Sequence, residues 1–170
     1  AKGLMKTAIR DNNPVVFFEH QAFSLDDLSG PVPEEEYTIP LGKADIKLEG
    51  QDVTIIAIAE MVHESLIAAK ALESEGVSVE ILDPRSLVPL DRGAIQGSVR
   101  KTGRVIVVDE ACITGSAAAE IMAVITEDLD TFRALKTPPK RVCAPDVPIP
   151  YSPVLESYCI PDSNQIMAAI

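Results

Sequence analysis

From residue 53 onward, apolar runs alternate with runs whose apolar residues fall on one helical face. Val53 to Ala59 reads as a buried strand. Val62, Leu66, Ala69 and Leu72 then recur at helical spacing, and Gly76 is placed to stop that helix. Val77 to Leu82 is the next strand, closed by Asp83-Pro84. Asp91 is positioned to cap a helix whose inner face is Ala94, Ile95 and Val99, and Gly103 ends it. Val105 to Val108 is a strand without a polar residue. Gly115-Ser116 opens a helix with Ala118, Ile121, Met122, Ile125 and Leu129 inward. Lys140 to Cys143 is a weaker last strand. Asp162, with Gln165 three places on, starts a terminal helix with Ile166, Met167 and Ile170 as its apolar face.

Upstream of residue 53 this rhythm is missing. Ala1 to Arg10 carries apolar residues at 1, 4, 5, 8 and 9, one face of a helix. Asp11-Asn12-Asn13-Pro14 ends it, because proline disfavours helix in the residue before it. Val15 to Phe18 is wholly apolar and predicts a short buried strand. From Glu19 to Gly50 the pattern dissolves into turn and polar residues, as expected of an interdomain linker, with Tyr37 to Leu41 docking in extended form.

Apolar strands alternating with amphipathic helices predict an α/β fold, a mainly parallel sheet covered on both faces. Right-handed crossovers place the loops after Ala59, Leu82 and Val108 along one edge. Ligands of such sheets are met at the carboxyl ends of the strands. Glu60, Met61, Asp83, Arg85, Asp109, Glu110 and Thr114 are therefore expected to share a rim. Arg85 is the leading charged contact there, with a bridge to Asp83 or Asp109 as the plain alternative. Asp109 and Glu110 are adjacent on an extended segment and point oppositely, which argues against a catalytic dyad.

Composition narrows the partners. Net charge is -11, so a nucleic acid or an anionic membrane is not an expected partner. No apolar run approaches the roughly 20 residues of a membrane span. Aromatics are 4% and Trp is absent, so the core is aliphatic. Cys112, Cys143 and Cys159 show neither disulfide nor zinc spacing and read as buried thiols. The start at Ala1, with neither initiator Met nor signal pattern, reads as a fragment or processed product. Glycine-rich dinucleotide and phosphate motifs are absent. His63 reads as a solvated helix-start histidine. His20 has no visible partner in the sequence. Glu34 to Glu36 reads as a solvated charge run. The helix end at Ala8-Ile9-Arg10, followed by Asp11 and Asn13, offers free carbonyls and hard side-chain oxygens that suit a weakly hydrated monovalent cation; from spacing alone a plain helix stop is the better reading.

Residues 1–20, ending Asn-Pro-Val-Val-Phe-Phe-Glu-His, resemble the beta subunit of the thiamine-diphosphate-dependent 2-oxo acid dehydrogenases. So do Val-Pro-Glu-Glu-Glu-Tyr-Thr-Ile-Pro-Leu-Gly-Lys-Ala at 32–44, Leu-Asp-Pro-Arg-Ser-Leu-Val-Pro-Leu-Asp at 82–91 and Pro-Asp-Val-Pro-Ile-Pro-Tyr-Ser-Pro-Val-Leu-Glu at 145–156. The resemblance implies a transketolase C-terminal-domain-like three-layer sandwich over residues 45–170. It implies a linker at 21–44 and the tail of a pyrimidine-binding domain at 1–20. It implies a potassium site on Ala8, Ile9, Asp11 and Asn13, with a further ligand upstream. Thiamine diphosphate and magnesium belong to the complete enzyme and not to this segment alone. The family's active-site histidine has no match in His20 or His63, so no catalytic residue is assigned.

The resemblance further implies decarboxylation of a 2-oxo acid with acyl transfer to a lipoyl arm. The implied partners are an alpha subunit, a second beta subunit and the dihydrolipoyl acyltransferase core. This segment is expected to serve assembly and to be inactive alone, in the bacterial cytoplasm or the mitochondrial matrix. Arg85, Asp109 and Glu110 are its expected interface and rim residues. Residues 109–116 depart from the family's usual Glu-x-x-x-x-Gly-Gly pattern. Two other readings are a stand-alone assembly module of the same fold and the C-terminal domain of another transketolase-type enzyme.

Overall fold

A computed structural model of the chain describes residues 1–20 and 31–170. Helix α1 spans Lys2–Arg10, and strand β1 spans Asp45–Leu48. The body follows as β2 (Val53–Ala57), α2 (Met61–Glu73), β3 (Val79–Asp83), α3 (Arg92–Thr102) and β4 (Val105–Cys112). It closes with α4 (Ala117–Glu127), α5 (Leu129–Ala134), β5 (Lys140–Ala144), α6 (Pro153–Cys159) and α7 (Ser163–Ala169).

The five strands lie in the order β1-β3-β2-β4-β5. β2, β3, β4 and β5 are parallel, whereas β1 runs antiparallel beside β3. One face of the sheet packs Ile55, Ile81, Ile106 and Val108 against Met61, Ala68 and Leu72 of α2 and Ile166 of α7. The other packs Ile56, Leu82 and Val107 against Ile95 and Val99 of α3 and Ile121 and Ile125 of α4. The three-layer sandwich is therefore present, and its core is aliphatic on both faces.

The expected punctuation operates. Asp91 accepts from Ala94 N–H at 3.1 Å and from Ala44 N–H at 3.1 Å, so it caps α3 and anchors the approach to β1 together. Gly103 turns left-handed after α3, and its N–H returns to Val99 O at 2.8 Å. Asp162 accepts from Gln165 N–H at 2.8 Å to start α7. Glu64 of α2 accepts from Ser163 N–H at 2.7 Å, which docks that helix start on α2.

Of the stretch expected to dock in extended form, Tyr37 and Ile39 contact α1, whereas Leu41 already lies in a turn. Ile39 exchanges with α1 through Ile39 N–H to Gly3 O at 3.1 Å and Thr7 Oγ1 to Ile39 O at 2.6 Å. The Glu34–Glu36 run is not merely solvated. Glu36 bridges Lys6 and Arg10 of α1, each at 2.5 Å.

Several expectations fail for physical reasons. Val15 to Phe18 is not a strand and is not buried; Val16 and Phe18 are 76% and 87% exposed. An apolar run becomes a strand only where a neighbouring strand offers a ladder, and none of the five offers one to it. Asp45–Leu48 is a strand inside what reads as featureless loop, because an antiparallel edge exposed on its outer side needs little apolar patterning. The helix expected to run through Leu129 breaks at Asp128, which accepts from Thr131 N–H at 2.9 Å and caps α5. Leu129 is exposed in consequence, and Leu66 is exposed on α2, where Ala68 faces inward instead. Helix α6 was not anticipated. Cys112 is exposed, against the expectation of three buried thiols; Cys143 is half-buried and Cys159 buried.

The run Val77 to Leu82 also conceals Glu80, which is fully buried in β3. Its carboxylate accepts from Ser98 Oγ of α3 and pairs with the Lys101 ammonium of the same helix. Thr54 of β2 extends the network to Ser98 Oγ at 2.8 Å and Thr102 Oγ1 at 2.9 Å. Lys101 also reaches Glu49 at 3.0 Å.

Candidate functional site

The chain path through the sheet decides where a ligand or partner can be met. From β2 the chain crosses through α2 to β3 on one side. It then returns through α3 to β4 on the other side of β2. The helices that follow β2 and β4 consequently cover opposite faces, as the two separate core clusters show. The carboxyl ends of those two strands adjoin at the topological switch point of the sheet, where ligands of such sheets are generally met.

Glu60 stands after β2 and Glu110 on β4, so these two predicted rim residues meet at the switch point, with Asp109 of β4 close by. Ala59 precedes Glu60 with φ +51°, a left-handed conformation that a residue with a Cβ adopts at a cost of about 1 kcal/mol or more. Burial pushes the Glu110 carboxyl up, the His20 imidazole pulls it partly back, and Asp109 and Glu60 add to the rise.

His20 is the residue that sequence reasoning left without a partner. Its Nε2 lies 2.8 Å from Glu110 Oε2. The pairing joins positions ninety apart in the chain, and the visible signal was only that His20 follows an apolar run.

Asp109 is buried, not presented at the rim as expected. Its Oδ1 accepts from Ala111 N–H at 3.1 Å, and its Oδ2 from Ala118 N–H at 3.4 Å. It is a positioning group that ties the end of β4 to the start of α4. The Cys143 thiol beside it is pushed up by burial and then by the Asp109 charge. Met61 is fully buried in the core and contributes nothing to the rim.

Arg85 pairs with neither Asp83 nor Asp109. Its guanidinium Nη2 lies 2.5 Å from Asp45 of β1, while Asp83 Oδ1 accepts from Arg85 N–H at 2.9 Å. Lys47 bridges Asp45 at 2.7 Å and Asp83 at 3.6 Å. Burial works against the Asp45 charge, but Lys47 and then Arg85 hold its carboxyl below the usual range. Arg85 itself has φ +58°. This four-membered network locks β1 to the end of β3, so Arg85 supports the rim's edge strand.

Thr114 sits farther along, where its N–H and Oγ1 donate to Asp146 at 3.0 and 2.7 Å. His63 is half-buried at the start of α2. At the end of α1, Asp11 Oδ1 accepts from Asn13 N–H at 2.8 Å and Asn13 Nδ2 at 2.9 Å, while Ala8 O accepts from Asp11 N–H at 3.3 Å. These bonds leave Asp11 Oδ2 and the remaining helix-end carbonyls as an all-oxygen set, chemistry that suits a monovalent cation. Among the described residues no group of three or more His, Cys, Asp and Glu side chains is arranged to hold a metal ion.

The class is thus a mainly parallel α/β domain with carboxylates gathered at the switch point of its sheet. The comparison with known families goes further: the transketolase C-terminal domain matches residues 42–166, and the chain belongs to that family.

The beta subunit of acetoin:2,6-dichlorophenolindophenol oxidoreductase from Bacillus subtilis is 48% identical over 168 residues, covering 99% of this chain and 48% of the relative. The pyruvate dehydrogenase E1 component subunit beta of the same organism is 48% identical over 167 residues, covering 98% of this chain and 50% of the relative. The chain therefore spans about half the length of these curated relatives. Among solved structures, a split-gene transketolase described as an inactive beta4 tetramer superposes with TM-score 0.67 at 30% identity, covering 78% of this chain and 42% of that one. Among the described residues no helix is long and apolar enough to cross a membrane.

Proposed function

We propose that this chain forms the transketolase C-terminal-domain part of the beta component of a thiamine-diphosphate-dependent 2-oxo acid dehydrogenase. The observation that carries this reading is the alignment of nearly the whole chain with such beta subunits. In the complete enzyme a 2-oxo acid is decarboxylated and its acyl group passes to a lipoyl arm. Thiamine diphosphate and magnesium are held outside this segment. Ala8, Ile9, Asp11 and Asn13 hold potassium at the end of α1. The role of the domain is assembly, with an alpha subunit, a second beta subunit and the dihydrolipoyl acyltransferase core as partners, in the bacterial cytoplasm.

The exposed apolar side chains of α6 and the stretch before it support an assembly role. Val147, Ile149, Tyr151, Val154, Leu155 and Tyr158 lie in one short span and are all exposed. Apolar surface concentrated in this way marks a contact surface.

The test has two arms. The isolated chain is assayed for thiamine-dependent dye reduction with pyruvate and with acetoin, and is expected to give none. Co-expressed with an alpha subunit of this family, it is expected to co-purify with it. Turnover by the isolated chain, or failure to associate, would overturn the reading.

A further inference from the structure

Strand β1 closes one flank of the sheet, and among the described residues no strand lies beyond it. Its outer backbone groups have no ladder there, which makes them a template for another strand. Natural edges of this kind are commonly guarded by an outward lysine. Lys47 gives no such guard, because its ammonium is turned onto Asp45 at 2.7 Å and Asp83 at 3.6 Å.

A shift in register between Ile46 and Leu48 sets what this edge offers. Ile46 lies opposite Leu82, on the face that packs against α3, whereas Leu48 lies opposite Ile81, on the face that packs against α2. The edge thus shows one apolar side chain on each face of the sheet, and both are 39% exposed. Each stands at a cleft. On the α2 face, Leu48, Leu66, Ala69, Val77 and Val79 line about 480 Å³. On the α3 face, Ile46, Ala94 and Gly97 line about 270 Å³ together with Glu49, Glu80 and Lys101. A Cβ on Gly97 would meet nothing within 4 Å, so this second cleft has room for a long side chain.

Successive side chains of a strand point to opposite faces. A strand added outside β1 therefore sends one side chain into the α2 cleft and the next into the α3 cleft. The first cleft is walled mainly by aliphatic groups and fits Val, Leu or Ile. The second holds two carboxylates against one ammonium, and the Glu49 side chain is 77% exposed, so it favours a cation. The stem of a Lys or Arg can lie along Ala94 and Gly97. A second copy of this chain is a poor occupant, since two chains of net charge -11 repel one another.

We propose that the β1 edge takes up an extended segment of a partner protein in which aliphatic residues alternate with Lys or Arg. Main-chain hydrogen bonds to β1 supply the attachment, and the two clefts select the alternate side chains. This site lies on the flank of the sheet and not at the carboxyl ends of β2 and β4, so it does not rest on the proposed reaction.

Fluorescence anisotropy of a labelled heptapeptide, acetyl-Lys-Val-Lys-Leu-Lys-Val-Lys-amide, tests this at about 0.15 M salt, where loose charge attraction is screened. Saturable binding to the chain is expected. Methylating every backbone nitrogen of the peptide keeps its charge and side chains but removes its ladder donors, and should weaken binding at least about tenfold. Leu66→Glu puts a charge into the α2 cleft, and Gly97→Gln fills the α3 cleft; each should weaken binding about tenfold. Both positions are exposed on helices, and Gln is a better helix former than Gly, so folding is retained. No saturable binding, equal binding of the methylated peptide, or unchanged affinity in both variants would overturn the proposal. Self-association of the chain that Leu48→Lys abolishes would also overturn it, because the edge would then belong to a second copy.

Discussion

Replacing Lys101 with Met tests the buried network beneath α3. Glu80 has no solvent exposure, and its charge is matched by Lys101 and by the Ser98 hydroxyl. Removing one partner of a buried pair costs about 3–5 kcal/mol, because the remaining charge is stranded. Lys101 is itself 32% exposed, so water can partly replace it and the figure is discounted to about 2–3 kcal/mol. For a chain of this size that corresponds to a fall in Tm of about 4–12 °C.

The assay is urea unfolding at neutral pH, where the slope should be unchanged and the midpoint lowered. The double variant Lys101→Met with Glu80→Gln should recover part of the loss, since no charge is then stranded. The Lys101 ammonium is held above the ordinary lysine value of 10.5 by Glu80 first, against burial, with Glu49 adding to it. Its contribution is therefore full below pH 10.5 and is lost as pH rises through the raised value. A single-variant loss below about 0.5 kcal/mol, the scale of an exposed pair, would refute the account.

Three further outcomes are expected. Gly50→Ala places a Cβ against the backbone of Val79 and Glu80, which cannot retreat without breaking β3; a loss of about 1–3 kcal/mol in urea unfolding is expected. Asp91→Ala removes the acceptor for Ala94 N–H and Ala44 N–H together and should cost about 1–2 kcal/mol, with Asp91→Asn retaining most of it. Lys6 and Arg10 hold the Glu36 carboxyl down to about 2 from 4.5. The docking of α1 on the 31–41 segment should therefore be complete above about pH 4.5 and weaken as pH falls toward 2. Exchange protection of α1 amides reads this, and Glu36→Gln should remove the acid dependence.

Much of the fold was legible because its cause is local. Strands buried on both faces leave uninterrupted apolar runs, and amphipathic helices leave a helical stripe. Asp91, Gly103 and Asp162 terminate elements through bonds to residues within four positions, so their roles could be read directly. The carboxyl-edge location of Glu60 and Glu110 also followed, since parallel strands joined by right-handed crossovers bring those ends together.

The sequence by itself determined the alternation, and hence the layers, the family resemblance and which loops share the carboxyl edge of the sheet. The tertiary structure alone decided the pairings. Whether Val15–Phe18 became a strand depended on a partner strand, and Asp45–Leu48 became one because β3 supplied the ladder. Arg85 found Asp45 because the antiparallel edge strand delivers that residue opposite Asp83. Glu80 could be buried only because α3 brings Ser98 and Lys101 above it. His20 acquired its partner in the same way, at the carboxyl end of β4. Charge and hydrogen-bond complementarity act over a few ångströms in space, and a one-dimensional pattern does not record which distant residues will be that close.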